Sequence, residues 1–381
     1  MNYYRIVLIL PLLLLLVACG PKPERSESVL DNPDYHVSQG LKHLQNGLLA
    51  QAEAEFARAN ELDPDYAQAW SGIALVRAEQ GRFDEAKDLA DEGVHEAKKD
   101  PFTWSARGRV LSLALEAGEY DDDVDDEFEK ALDLNEDYDL AWYWWGLAYK
   151  RAWMFTEAGD KFAHALILRG EWASETDQAY QEVQDIVRAA PGSRIGMRIA
   201  QVDTLDRADL AVLFLEELKL AEVMERTMGR TLNPRFVPPE DPSLLPAIEP
   251  KDMSLVPEDV RGHWAETWII QIIDLGVMEI SPDRKFYPDQ PVTRGEFALL
   301  LQNILAGIMH DETLTTRYIG EDSRFRDMRS GTATYNAAAL AVDRGFMDAG
   351  LTGSFDPDGF VRGSEALLSI RSFQDHLEFE F

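Results

Sequence analysis

The chain has 381 residues, 45% of them apolar, and a formal net charge of -32. The length leaves room for two or three domains, and the apolar share excludes a wholly disordered chain. The acidity excludes nucleic acid, since phosphate binding needs a basic footprint, and an electrostatic membrane patch; the single cysteine excludes an intrachain disulfide. The first predicted element is an apolar stretch from Ile6 to Val17 behind Arg5. Such a segment has the pattern of a secretory signal and is too short for a stable spanning helix.

That stretch ends in Leu16-Val17-Ala18-Cys19, which resembles the bacterial lipobox. The resemblance implies a signal peptide over 1–18, cleavage before Cys19, and acyl chains on its thiol and new amino group. Each buried methylene contributes roughly 0.8 kcal/mol, so several chains hold stably where one holds marginally. The membrane is then a partner through N-terminal lipid. Gly20 rather than Asp follows the cysteine, which resembles outer-membrane sorting and implies the periplasmic side of that membrane in a Gram-negative host. A polar tether over 19–32 spaces the folded part from the bilayer.

From residue 33 a period emerges. Small residues recur at Gly40, Ala74, Gly108 and Gly146; parallel series are Ala52, Ala86, Val124, Ala158; Phe56, Ala90, Phe128, Phe162; and Ala59, Gly93, Ala131, Ala165. Antiparallel helices approach closely only where side chains are small, and the aromatic fills the space against the next pair. Trp70, Trp104 and Trp142 are expected to wedge against the neighbouring pair. The run Asp121-Asp122-Asp123 reads as a solvated loop, with a metal loop as the alternative. Trp142, Trp145 and Tyr149 fall on one helical face, as a core requires, whereas Tyr143 and Trp144 point elsewhere and are available to a partner.

These residues resemble the tetratricopeptide repeat, in four copies over 33–172. The resemblance implies a peptide-binding groove on the first helix of each pair. Carried over by spacing, its positions are Gln68, Ser71, Leu75, Ser105, Arg109, Tyr143, Leu147 and Lys150. With Arg77, Arg107 and Arg151 on the same helices, and Glu53, Asp84, Glu85 and Asp88 on the others, the expected occupant is an acidic or C-terminal carboxylate segment; packing and solvation by those arginines is the alternative.

Prolines then cluster over 229–257, a linker or strap. Beyond it the sequence repeats at a fixed offset: Asp274/Asp343, Gly276/Gly345, Met278/Met347, Phe286/Phe355, Pro288/Pro357, Asp289/Asp358, Val292/Val361 and Glu296/Glu365. Thr293 is a good N-cap, and Glu296 three residues on completes a capping box. The stretch Thr293-Arg294-Gly295-Glu296, with Gly262-His263-Trp264-Ala265 before it, resembles the S-layer homology domain. The unit spans 258–310, and a degenerate copy, with Gly363 where the arginine belongs, spans 325–377. A partial copy over 175–228 carries Leu205-Asp206-Arg207-Ala208-Asp209. The resemblance implies binding of peptidoglycan or secondary cell-wall polysaccharide between units. Arg294 and Arg207 would meet carboxylates with their planar forks, beside Trp264 and Glu296; capping by Glu296 and packing by Trp264 are the alternatives.

The expected fold is all-α, a tetratricopeptide solenoid followed by a mainly helical S-layer homology module. No catalytic motif, metal set or cofactor site stands out among the seven histidines and one cysteine. The expected function is a non-catalytic, lipid-anchored adaptor of the cell envelope that binds wall polymer with one module and an unidentified protein with the other. The alternative is an accessory scaffold of an envelope assembly or export complex without sugar binding.

Overall fold

The computed structural model describes residue 26 and residues 28–227, 256–350 and 352–380. The signal segment, Cys19, most of the tether and most of the proline-rich stretch lie outside the described residues. Those described form sixteen α-helices and no strand. They fall into two compact units, Met1–Val183 and Gln184–Phe381.

The first unit is four helix pairs: α1 (Pro33–Gln45) with α2 (Leu49–Leu62), α3 (Ala67–Glu79) with α4 (Phe83–Glu96), α5 (Pro101–Ala114) with α6 (Asp122–Leu134), and α7 (Asp139–Arg151) with α8 (Phe155–Leu168). The helix α9 (Ala173–Ala189) follows and contains the unit boundary. Asn32 and Asp100 cap α1 and α5, each with proline in the first turn. The tight turns inside the pairs need left-handed backbone, which Gly47 and Gly81 supply at φ 69° and 75°. In the last pair Trp153 adopts that conformation at φ 62°.

Packing follows the small-and-aromatic series. Phe56, Phe128 and Phe162 are fully buried. A methyl group added at Gly40 or Gly146 would lie 2.6 or 2.4 Å from the ring of Phe56 or Phe162. Phe56 also presses on Gly72 of the next pair, so one ring joins two pairs. The tryptophans also fix turns. The indoles of Trp70, Trp104 and Trp142 donate to the carbonyls of Pro64, Lys98 and Glu136, at 3.1, 3.0 and 3.0 Å. Each pins the turn before its own helix, and Trp142 stacks on His164 of its own pair. The acidic run is not a loop. Asp121 caps α6 and accepts from the amide of Asp123, while Asp122 and Asp123 lie in the first turn, where the helix dipole favours negative charge.

The second unit holds α10 (Arg194–Ile199), α11 (Arg207–Glu216), α12 (Leu220–Thr227), α13 (Glu266–Asp274), α14 (Arg294–Met309), α15 (Ala333–Asp343) and α16 (Gly363–Glu380), with a 3-10 turn at Glu312–Thr315. Its centre is a closed ring of backbone hydrogen bonds. Leu205 donates to Val361 (2.8 Å), Val361 to Val292 (3.1 Å) and Val292 to Leu205 (2.9 Å). All three side chains are buried. Each ring residue stands just before one of α11, α14 and α16, so three helix starts meet at one point.

Candidate functional site

In the first unit, the first helices of all four pairs line one cavity of about 410 Å³, with Leu41, Leu44, Gln45, Leu75, Glu79, Arg109, Tyr143, Trp144, Leu147 and Trp172 in its wall. Gln45 donates to the Tyr143 hydroxyl at 3.1 Å, joining the first and fourth pairs. Leu75, Arg109, Tyr143 and Leu147, four of the sequence-predicted positions, are thereby brought together. Gln68 lines a neighbouring hollow of about 250 Å³ and donates to Asp100.

Two positions are corrected. Ser71 and Ser105 are both 0% exposed. The Ser71 hydroxyl lies where a methyl on Gly93 would fall, and Ser105 donates to the carbonyl of Pro101. Ser71 faces its partner helix, and Ser105 turns back onto its own helix, so neither opens to a groove. Trp144 is also buried, at 5%, and tilts against Phe102, so it does not project toward solvent; Tyr143, at 3%, offers only its cavity-facing edge.

The basic character expected of the groove is neutralised. Arg77 pairs with Glu53 at 2.7 Å, Arg107 with Asp91 at 2.9 Å, Arg109 with Glu79 at 3.5 Å and Lys150 with Glu182 at 2.7 Å. Arg151 donates to the carbonyls of Leu113 and Leu115, and so holds the chain between α5 and α6. Sequence reading saw the cations but not the carboxylates that fold against them. On the outer face, Glu92, His95 and Glu96 bring three possible metal-ligand atoms within 4.8 Å of one another, all exposed.

In the second unit Arg207 and Arg294 occupy equivalent corners. The Arg207 Nε donates to the Phe286 carbonyl at 2.8 Å and its Nη2 to the Glu279 carbonyl at 3.1 Å. Arg294 does the same with Phe355 at 2.9 Å and Asp348 at 2.7 Å. Each guanidinium lies over the phenylalanine ring, at 4.6 and 4.9 Å, and Arg294 also pairs with Glu365. The forks expected to meet an anionic polymer instead fasten one segment to the next. At the third corner Gly363 donates its amide to Val202 at 2.8 Å. A methyl there would stand 1.8 Å from the carbonyl oxygen of Ile199. The missing arginine thus reflects a closer backbone approach. Gly295 has a like cause, since a methyl would lie 2.8 Å from Thr334 and 3.0 Å from the Pro357 carbonyl.

Glu296 accepts from the Thr293 amide at 3.0 Å and completes the capping box; Asp206 and Asp209 form another at α11. Trp264 is 44% exposed, with the Arg198 guanidinium 4.5 Å over its ring and His263 and Trp268 tilted against it. It is the one aromatic of the expected set with an open face. Sequence reading missed Asp259 and Asp327. Asp259 accepts from the amides of Phe286 and Tyr287, Asp327 from those of Phe355 and Asp356. Each steadies a left-handed residue, Tyr287 or Asp356, both at φ 58°.

A family model for the S-layer homology domain matches residues 258–298, and one for the tetratricopeptide repeat matches residues 43–110. The chain carries both domains. An S-layer homology domain points to cell-wall polymer and to the cell envelope or surface, and tetratricopeptide repeats point to protein contacts; both domains are typically non-catalytic. A curated amylopullulanase of Thermoanaerobacterium thermosulfurigenes is 26% identical over 116 residues, 30% of this chain and 6% of that protein. The shared stretch lies in the S-layer homology region, so it carries no statement about catalysis.

Proposed function

We propose that this protein is a non-catalytic envelope adaptor, anchored at a membrane through lipid on Cys19, that grips cell-wall polymer with its S-layer homology region and a protein partner with its repeats. The observation that carries the reading is the pairing of these two domains on one chain, at 258–298 and 43–110. In a Gram-negative host the place would be the periplasmic side of the outer membrane. The polymer contact we favour is the open face of Trp264 beside Arg198, because an aromatic ring offers sugar a flat apolar surface and the guanidinium can meet a carboxylate. Arg207 and Arg294 act by holding the corners in shape, with Glu296 as a cap.

The test is sedimentation with purified wall sacculi. The full chain should pellet, and Trp264→Ala should lower the bound fraction severalfold without changing thermal stability by more than about 1 kcal/mol, as surface substitutions do. A full chain that stays in solution would instead support an accessory scaffold of an envelope assembly or export complex. The closed arginine corners are the observation that favours this second reading.

A further inference from the structure

We infer that the repeat groove takes a basic, amphipathic segment, with an apolar side chain in the cavity and a lysine or arginine on its acidic rim; this rests on the reading of the repeats as a protein-binding surface. The apolar part is the cavity bounded by Leu75, Tyr143 and Leu147. The neighbouring hollow shares Leu41 and Trp172 with it, and brings in Asp34, Asp139 and Glu171. Asp34 and Glu171 are exposed.

Charge decides the occupant. Burial first, and then the carboxylates of Asp100, Asp139 and Glu171, hold the Tyr138 hydroxyl well above the ordinary tyrosine range. At Tyr66 burial again leads, followed by the hydrogen bond to Asp34 and the charges of Asp34 and Asp100. Further along, one oxygen of Glu175 is shielded from solvent with no hydrogen-bond partner, and its charge acts on Tyr143. Of the cations nearby, Arg109 answers Glu79 and Lys42 answers Glu171 only loosely, at 3.7 Å. The surplus is negative, so an acidic segment would be repelled and a cationic one drawn in.

The probes are labelled peptides of equal length built from leucine and lysine, leucine and glutamate, or serine and lysine, titrated against the full-length chain by fluorescence anisotropy. Because any acidic protein attracts lysine, two variants of equal charge are compared: Asp34→Asn with Glu171→Gln in the groove, and Asp84→Asn with Asp88→Asn on an outer helix. We expect the leucine–lysine peptide to bind most tightly, to lose about tenfold in affinity (~1.4 kcal/mol) with the groove variant, and to change less than about twofold with the outer one. Equal losses in both variants overturn the inference, as does absence of binding. Tighter binding of the leucine–glutamate peptide, abolished by Leu147→Arg, overturns it while leaving the repeats as a protein-binding surface. That wider reading falls separately, if Leu147→Arg leaves the set of envelope proteins captured by the chain unchanged.

Discussion

Asp209 stands third in α11, as Glu296 and Glu365 stand third in α14 and α16. Glu365 meets Arg294, whereas the position that would serve Asp209 in the same succession is Gly363. Asp209 is 8% exposed; burial first, then the charge of Asp206, push its carboxyl up to about 6, against a lowering pull from Arg198. The folded state therefore holds this proton more tightly than the unfolded chain does. Stability falls as pH rises from about 4 to about 6 and the contribution is gone above that. Asp209→Asn should flatten this slope and raise stability at neutral pH by about 1–3 kcal/mol, read from urea midpoints across that range. At Gly146 the expectation has the opposite sign. With Phe162 2.4 Å from an added methyl, Gly146→Ala overpacks the fourth pair and lowers stability by about 1–3 kcal/mol, measurable by thermal unfolding.

Among elements, the corners of the second unit carry the clearest consequence. Arg294 reaches two carbonyls with one planar group, which a lysine cannot do. Arg294→Lys should lower stability by about 1–3 kcal/mol despite keeping the charge, with hydrogen exchange rising first around Asp348 and Phe355. Sequence alone located these loops, because the offset between Phe286 and Phe355 repeats through Pro288/Pro357 and Val292/Val361. It did not reveal what the arginines face, since that depends on which segment lies across the corner. Gly363 was legible as a departure from the motif, yet its cause, the carbonyl of Ile199, sits far away in the chain. Asp259 and Asp327 escaped notice because their spacing slips by one residue from the rest of the repeat. The helix pairs were readable from Gly40, Phe56 and their successors, where packing leaves few residue choices. Ser71 and Ser105 were misplaced because a small polar residue fits a groove and a helix seam equally well.

At the scale of the whole molecule the charge of -32 works chiefly on the long-range field. Capture of cationic segments by the groove should therefore weaken as salt shortens the Debye length to about 8 Å near physiological strength. Cys19 sets the remaining prediction. Cys19→Ser should move the protein from the membrane fraction to the soluble one, and the wild-type mature N-terminus should show acyl mass by mass spectrometry. A variant that stays with membranes, with no acyl mass on the wild type, would remove the anchor from the proposal.

The ring joining Leu205, Val292 and Val361 has a consequence for assembly order. Chain synthesised or exported from its N-terminus can complete each repeat pair as it arrives, because those contacts are local. The other unit must hold its early helices unsealed until the segment bearing Val361 and Gly363 is delivered. Refolding should accordingly show a fast phase from the repeats and a slower one from the ring, and the interval between them is when buried leucines such as Leu210 and Leu213 are most open to chaperones or proteases.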